Sequence, residues 1–427
     1  FFRFICGTGL LLSLAVLVGA TDLQSPAAGA GLSLGLGTAV WLVLWALYLS
    51  IVNVGQRFYS FGWESMLCEA GFFTAFLAPS AMAPSWLPVL LFRWLLFRVE
   101  VGAGLIKLRA GGPWKDFTAL DYHHETQPMP NPLSRLAHHL PRRILHAGVG
   151  FSHFVQVAAP FGLFLPQPVA GIAAALIVLH QLLLIAAGNY AWLNWLTVVL
   201  AFAAVPDAWL GWTGVAPPEA AAPRPAAWDG LCLALFAATV WLSRKPAANL
   251  CSRRQLMNYS FNSLHLVNTY GAFGSVTTER YEIVLEGTDA GDPADPEAVW
   301  KEYEFRGKPG RTDRVPPQVA PYHLRLDWLM WFLPLSVPML PSGIAVRGYE
   351  RWFLNFVEKL LRGDRRTRRL LRHDPFADAA PPRAIRARFY RYRFTPAGEK
   401  RRTGHVWHRE RIDDYLPPVT LETLPWR

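Results

Sequence analysis

Apolar residues in the first part of this chain come in long blocks. Up to about residue 245, eight such stretches stand between polar breaks, at about 4–20, 32–54, 66–82, 86–108, 144–165, 168–187, 190–210 and 228–243. A helix needs about 20 mostly apolar residues to cross a bilayer. Most of the blocks therefore predict membrane helices, while 66–82 and 228–243 are short for a full crossing. The former ends in APSAMAPSWLP, a proline-rich turn compatible with a re-entrant pair over 66–108. The Pro/Ala-rich segment 211–227 reads as a linker between spans.

From about residue 250 the pattern changes to a period of two. Tyr281, Ile283 and Leu285 alternate with Arg280, Glu282 and Glu286; Tyr303 and Phe305 alternate with Glu302, Glu304 and Arg306; Tyr390, Tyr392 and Phe394 alternate with Arg391 and Arg393. Three half-buried strands with turn residues between the first two predict a compact antiparallel β-domain with one apolar face. The Trp-rich stretch 324–340, broken by Pro334 and Pro338, is expected to be an amphipathic segment docking this domain on the membrane part. The expected architecture is a polytopic α-helical membrane bundle over residues 1–245, followed by a β-rich (α+β) extramembrane domain over 246–427.

One apolar block carries charge. Arg93, Glu100 and Lys107 recur every seven residues between 86 and 108, so they share nearly one helical face, with Arg98 off that line. A charge in a membrane helix is costly and normally faces the bundle interior or a polar cavity. The stripe is either a network that fixes helices in register or a candidate catalytic or binding cavity, with Glu64, His153 and Asn194 as expected partners. Further polar residues lie in or near the later blocks: His146, His153, Gln156, His180, Gln181, Asn189, Tyr190 and Asn194. These read first as interhelical hydrogen-bond partners.

The loop after the charged block reads Asp121-Tyr122-His123-His124-Glu125-Thr126-Gln127, then Pro128, Pro130 and Pro132 in alternation around Asn131. Alternating prolines disfavour helix and stiffen the path. A stiff loop dense in donors and acceptors suits a specific contact surface. The histidines with Glu125 lack the spacing of an HExxH helix, so no metal is expected.

Composition changes this picture little. The chain is 52% hydrophobic with 18 Trp, and its net charge of +11 comes largely from basic runs at 362–372 and 386–393. Beside a membrane domain such runs suit a solvated face or the lipid surface, and no nucleic-acid partner is expected. Cys6, Cys68 and Cys232 lie in apolar segments and Cys251 just beyond the last. There is no CxxC pair and no zinc spacing, so thiol exchange finds no support. No P-loop, dinucleotide fingerprint or nucleophile elbow appears, and no cofactor is expected. The chain opens on Phe1 within an apolar run that does not read as a signal peptide, and is taken as a fragment of a longer protein.

The string WKDFTALDYHHETQPMPNPL, followed by HHLP, resembles the signature of the lipase maturation factor family. FGWESMLCEAGFFTAFLAP at 61–79, Gly188-Asn189-Tyr190, Asn268-Thr269-Tyr270-Gly271-Ala272-Phe273-Gly274 and PYHLRLDW at 321–328 resemble it too. The resemblance implies a multi-pass membrane protein that helps certain secreted lipases fold, with the lipase or a related secreted protein and membrane lipids as partners. It implies the endoplasmic reticulum membrane, or the bacterial inner membrane in a prokaryote. Loop 116–135 is expected to pack on the C-terminal domain, anchored partly by Asn268, Tyr270, Arg325 or Asp327, either as one composite client-binding surface or as internal braces only. A more distant resemblance, carried by Gly102-Ala103-Gly104-Leu105-Ile106-Lys107 and Trp114, is to vitamin K-dependent gamma-carboxylases. It would make Lys107 a catalytic base in a membrane enzyme acting on a lipid- or quinone-like substrate. Glu100 opposes that reading, because a nearby carboxylate holds a lysine protonated.

If all eight stretches cross, Arg3, Arg57, Arg109, Lys115, Arg135, Arg142, Arg143, Arg244, Lys245, Arg253 and Arg254 lie on one side, with only Arg224 opposite. The positive-inside rule assigns that side to the cytoplasm. The family resemblance implies the lumen or its bacterial equivalent, and we follow it. Either way an even number of spans puts the motif loop and the C-terminal domain on one face.

Overall fold

The computed structural model describes residues 1–21, 29–79, 82–214, 223–341 and 343–425. In chain order its helices are α1 (Phe2–Leu17), α2 (Gly29–Val54), α3 (Gly62–Thr74), α4 (Trp86–Ala110), α5 (Ala119–Thr126), α6 (Ser134–His138), α7 (Arg142–His153), α8 (Val169–Ala187), α9 (Leu193–Ala201), α10 (Ala226–Leu242), α11 (Arg244–Cys251), α12 (Arg325–Leu335), α13 (Arg351–Leu361), α14 (Arg365–Arg368) and α15 (Ala397–Thr403). The strands are β1 (Arg280–Thr288), β2 (Lys301–Glu302), β3 (Met339–Leu340), β4 (Gly343–Ile344), β5 (Ala384–Phe394) and β6 (Trp407–Val419).

Each expected apolar block is helical at least in part. Among the described residues four helical runs are long and apolar enough to cross a membrane: Leu32–Val54, Arg142–Phe164, Val169–Ala187 and Ala226–Cys251. The last was expected to be short. It gains length because α11 follows α10 directly. α1 and Leu193–Ala204 are shorter apolar helices, and α3 stops at Thr74, so the 66–82 block is not one helix. Parts of the expected turn after residue 79 and of the linker 211–227, namely 80–81 and 215–222, lie outside the described residues.

The chain divides into two compact units that do not follow its linear order. The first comprises residues 1–117, 147–183 and 193–275; the second comprises 118–146, 184–192 and 276–427. In the first unit α4 is the central element. Its residues Leu91, Leu95, Leu96 and Val99 pack with Met66 and Phe73 of α3, Ala173 and Ile177 of α8, and Leu200 and Ala201 of α9. The segment 268–274 lies against α4 where that helix is narrowest. A Cβ on Gly102 would collide with the carbonyl oxygen of Tyr270, and Gly274 faces Ile106. Glycine is what lets two backbones approach so closely.

The second unit holds an antiparallel sheet in the order β2-β1-β5-β6. β1 and β5 are paired along their length, with Ile283 opposite Phe389 and Glu282 opposite Tyr390. α13 buries Phe353, Phe356, Val357, Leu360 and Leu361, the i, i+3, i+4, i+7, i+8 stripe of an amphipathic helix. These pack with Ile283, Leu285, Phe389 and Leu416 of the sheet and with Leu326, Met330 and Leu333 of α12.

Three expectations need correction. β1 is not half-buried: Arg280, Glu282 and Glu286 are buried as well as Ile283 and Leu285, because a second layer of polar partners covers that face. The 303–305 stretch forms little strand, since β2 ends at Glu302 and Glu304 makes only an isolated bridge to His373. The stretch 324–340 is not a membrane-docking segment as a whole. α12 buries Leu326, Trp328, Leu329, Met330 and Leu333, of which Leu326, Met330 and Leu333 join the domain core, while Phe332, Leu335, Met339 and Leu340 stay exposed.

Candidate functional site

The motif loop turns its polar atoms inward, within the second unit. The short helix α5 carries Asp121 to Thr126, and the proline run after it is held through its main chain. The Arg280 guanidinium donates to the carbonyls of Glu125 (2.9 Å), Gln127 and Pro128 (3.1 Å) while its Nε bonds Glu282 at 2.8 Å. Lys308 Nζ stands 2.8 Å from the other oxygen of Glu282. Arginine suits this position because its planar fork reaches several acceptors at once. Trp331 donates to the Thr126 carbonyl at 3.1 Å, and Arg135 donates to the Thr395 carbonyl from Nε and Nη2. The Glu125 carboxylate accepts the Phe394 N–H.

The other motif residues are cross-braces. Tyr190 donates to the Gln127 amide oxygen, which leaves His123 Nε2 as the donor in its 2.8 Å bond to the Tyr190 hydroxyl. Gln127 Nε2 donates to carbonyls of His124 and Ala187. Asn131 caps Leu133 and Ser134 through its oxygen and donates to Ala186 and Gln318. Asn189 donates to Pro130 and Pro317 and accepts from Val319 and Ala320. Asp121 faces His146 at 3.3 Å. Asp327 accepts from Gly307 and Lys308 N–H, fixing that turn, and Arg325 lies over the Trp192 ring at 5.5 Å. Tyr122 is half-buried, its carbonyl accepting from Thr126.

Burial sets the charge states here. It pushes His124 down to about 4, with His138 adding repulsion, and pushes His138 down to about 4, with His139 adding to it and Asp121 opposing. His138 approaches Glu125 at 3.6 Å, but a histidine this hard to protonate is neutral near pH 7, so the contact is not an ion pair. Burial also raises Glu125, opposed by the Phe394 N–H and by Arg280. Among the described residues no group of three or more His, Cys, Asp or Glu side chains is arranged to hold a metal ion.

The charged residues of α4 form two networks in the first unit. Glu100 accepts from Gln181 at 2.7 Å and Gln156 at 3.2 Å; Gln156 in turn accepts from Lys107 at 2.7 Å, and Asn194 donates to Gln181. Gln156 thus bridges carboxylate and ammonium, with the Trp114 ring 4.5 Å from Lys107 Nζ. Of the expected partners, Asn194 joins through Gln181. Glu64 instead accepts from Tyr48, and His153 bonds the Trp114 carbonyl. Arg93 leaves the stripe altogether and donates to the Ala203 and Leu163 carbonyls.

The second network surrounds Arg98, which lay outside the expected stripe. Arg98 pairs with Glu69, whose Oε2 also accepts from the Asn268 N–H (3.0 Å), the Asn268 amide (3.0 Å) and the Tyr270 hydroxyl (2.9 Å). Asn268 and Tyr270 therefore brace the first unit. Glu69 had a visible signal, a carboxylate inside the apolar block 66–82. What hid its partner was the separation of 29 residues between it and Arg98.

Membrane-length helices, buried charge networks and a β-domain knitted to a proline-stiffened loop define a polytopic membrane protein built around structural braces. Comparison narrows the class. Residues 1–212 match the family described as lipase maturation factor transmembrane domain, and residues 266–417 match the lipase maturation factor C-terminal domain. The chain is 42% identical over 410 residues to lipase maturation factor 1 of Homo sapiens, covering 89% of this chain and 70% of that protein. It is 43% identical over 414 residues to the Mus musculus protein of the same name, covering 89% and 70%. Lipase maturation factor 2 of Rattus norvegicus is 29% identical over 518 residues, covering 90% and 70%. The chain belongs to the lipase maturation factor family, and its role is that of a membrane-embedded maturation factor. No solved structure matches it. Nothing found favours the gamma-carboxylase-like alternative.

Proposed function

We propose that this protein assists the folding or assembly of a secreted lipase, acting from the endoplasmic reticulum membrane or from a bacterial inner membrane, with the second unit offering the surface the client meets. The observation that carries this reading is the way the motif loop is spent. Its main-chain carbonyls converge on Arg280 and Asn189, and its side chains on Tyr190 and the Phe394 N–H. A proline-stiffened segment already held in place loses little conformational freedom on docking. In this reading Asp121, Tyr122, His123, His124, Glu125, Gln127, Asn131, Arg325 and Asp327 shape the client surface mainly by holding it rigid. Asn268 and Tyr270 serve the stability of the membrane unit, as do Arg93, Glu100 and Lys107. The second unit faces the compartment in which the client folds.

The test is co-expression with a candidate lipase, scoring secreted lipase activity. A chain truncated after residue 275 should still insert in the membrane but yield inactive, retained lipase. Undiminished maturation by that truncated, membrane-inserted chain would overturn the assignment of the client surface to the second unit.

A further inference from the structure

The segment that follows the buried part of the motif is built in the opposite sense. Leu133, Leu136, Leu140 and Ile144 are 50%, 61%, 43% and 53% exposed. They recur at intervals of three and four residues: Leu133 just precedes α6, Leu136 lies in it, Leu140 stands in the break before α7 and Ile144 lies in the first turn of α7. Ser134 of α6 and Leu145 of α7 are buried. Arg142, Arg143 and His139 are exposed among these leucines. Large apolar side chains exposed in a row, in a unit whose other leucines are mostly buried, mark a surface with an occupant.

The covalent path identifies the occupant. The row runs without interruption into Arg142–Phe164, a helix long and apolar enough to cross the membrane. Arg142 and Arg143 open that helix, where cations sit at headgroup level. Leu140 stands two residues from Arg142, at most about 7 Å of extended chain, and Ile144 follows Arg143 directly, so these apolar side chains cannot lie far from the depth of those arginines. An apolar row beside cations at the mouth of a span suits the boundary between headgroups and acyl chains.

We propose that residues 133–144 form an interfacial anchor whose leucine row is buried in the lipid headgroup–acyl boundary, so that the motif loop is braced by the β-domain on one side and by the bilayer on the other. This goes beyond the client-surface reading and does not depend on it.

The test uses the full chain in phosphatidylcholine nanodiscs. Leu136→Cys is made in a background of Cys6→Ser and Cys251→Ser, which removes the two exposed native thiols and leaves Cys68 and Cys232 buried. The thiol is labelled with a fluorophore. Phosphatidylcholine spin-labelled at the headgroup should quench it strongly, acyl-end spin label weakly and aqueous iodide little. Leu179→Cys, exposed in the middle of Val169–Ala187, should show the reverse order for the two lipid labels. Leu140→Cys supplies a second position if Leu136→Cys expresses poorly. Strong iodide quenching without lipid quenching would overturn the proposal. Shielding from iodide that appears only when a lipase is added would also overturn it and assign the row to a protein partner.

Discussion

Two buried arginines, Arg98 in the first unit and Arg280 in the second, solve the same problem in different surroundings. Each pairs with one carboxylate, Glu69 or Glu282, and each donates to the main chain of an irregular segment distant in sequence, Arg98 to the Asn268 carbonyl and Arg280 to those of Glu125, Gln127 and Pro128. Arg98 thereby holds 268–274 on α4, and Arg280 holds 125–128 on β1. The difference lies in how the carboxylate is satisfied. Glu69 is surrounded by neutral donors, Asn268 and Tyr270, so Arg98 is the cation paired with it. Glu282 has a second cation in Lys308. An irregular segment cannot supply its own hydrogen-bond ladder, and a buried guanidinium can satisfy two or three of its carbonyls at once. The comparison shows that the motif strings mark clamped segments in both units.

The sharpest way to break this comparison is to remove the carboxylate where its loss strands a single cation. Glu69→Ala leaves Arg98 buried without its counter-charge and takes an acceptor from Asn268 and Tyr270. Stranding a buried charge in this way costs about 3–5 kcal/mol. The expected result is a large drop in expression and in the thermal transition of the detergent-purified protein. A variant with unchanged melting behaviour would mean that the Arg98 network contributes nothing to the first unit.

A smaller effect is expected at the other clamp. Arg280→Lys keeps the charge beside Glu282 but loses the fork that reaches several carbonyls, a loss of about 1–3 kcal/mol. Hydrogen exchange should quicken in amides of residues 119–135 and remain unchanged in 268–274. Equal loosening of both segments would show that the two clamps are not independent.

The sequence made the helices legible because a membrane demands long uninterrupted apolar runs. It made β1 and β5 legible because their alternation is strong. β6 escaped, since His408, Arg409, Glu410 and Arg411 interrupt any apolar alternation at the start of the strand. The seven-residue recurrence of Arg93, Glu100 and Lys107 located buried charge but not its partners. Pairing was decided by Gln156 and Gln181 from other helices, and Arg93 found carbonyls instead. Helical spacing reports which residues of one helix share a face, and nothing about what faces them. The loop motif was legible as polar and stiff, yet whether its polar atoms turn inward or outward depends on Arg280, more than 150 residues further along.

The smallest effect separates the clamps by pH, because the motif clamp lies beside histidines that burial keeps neutral. His124 and His138 are each lowered from 6.5 to about 4. As pH falls below about 6.5 the unfolded chain takes up protons on these residues while the folded second unit does not, so stability is lost progressively down to about pH 4, where the folded form protonates too. Glu125 works against this trend: its raised value means that the folded state binds its proton more readily than the unfolded state, so acidification favours folding through that group. Two histidines against one carboxyl leave a net loss on mild acidification. Hydrogen exchange of residues 119–139 should therefore quicken between neutral pH and about pH 5 after correction for the intrinsic pH dependence of exchange. His138→Gln should flatten part of that response without loosening 268–274. If corrected exchange at 119–139 is the same at both pH values, or slows on acidification, the two histidines do not hold the motif clamp against protonation.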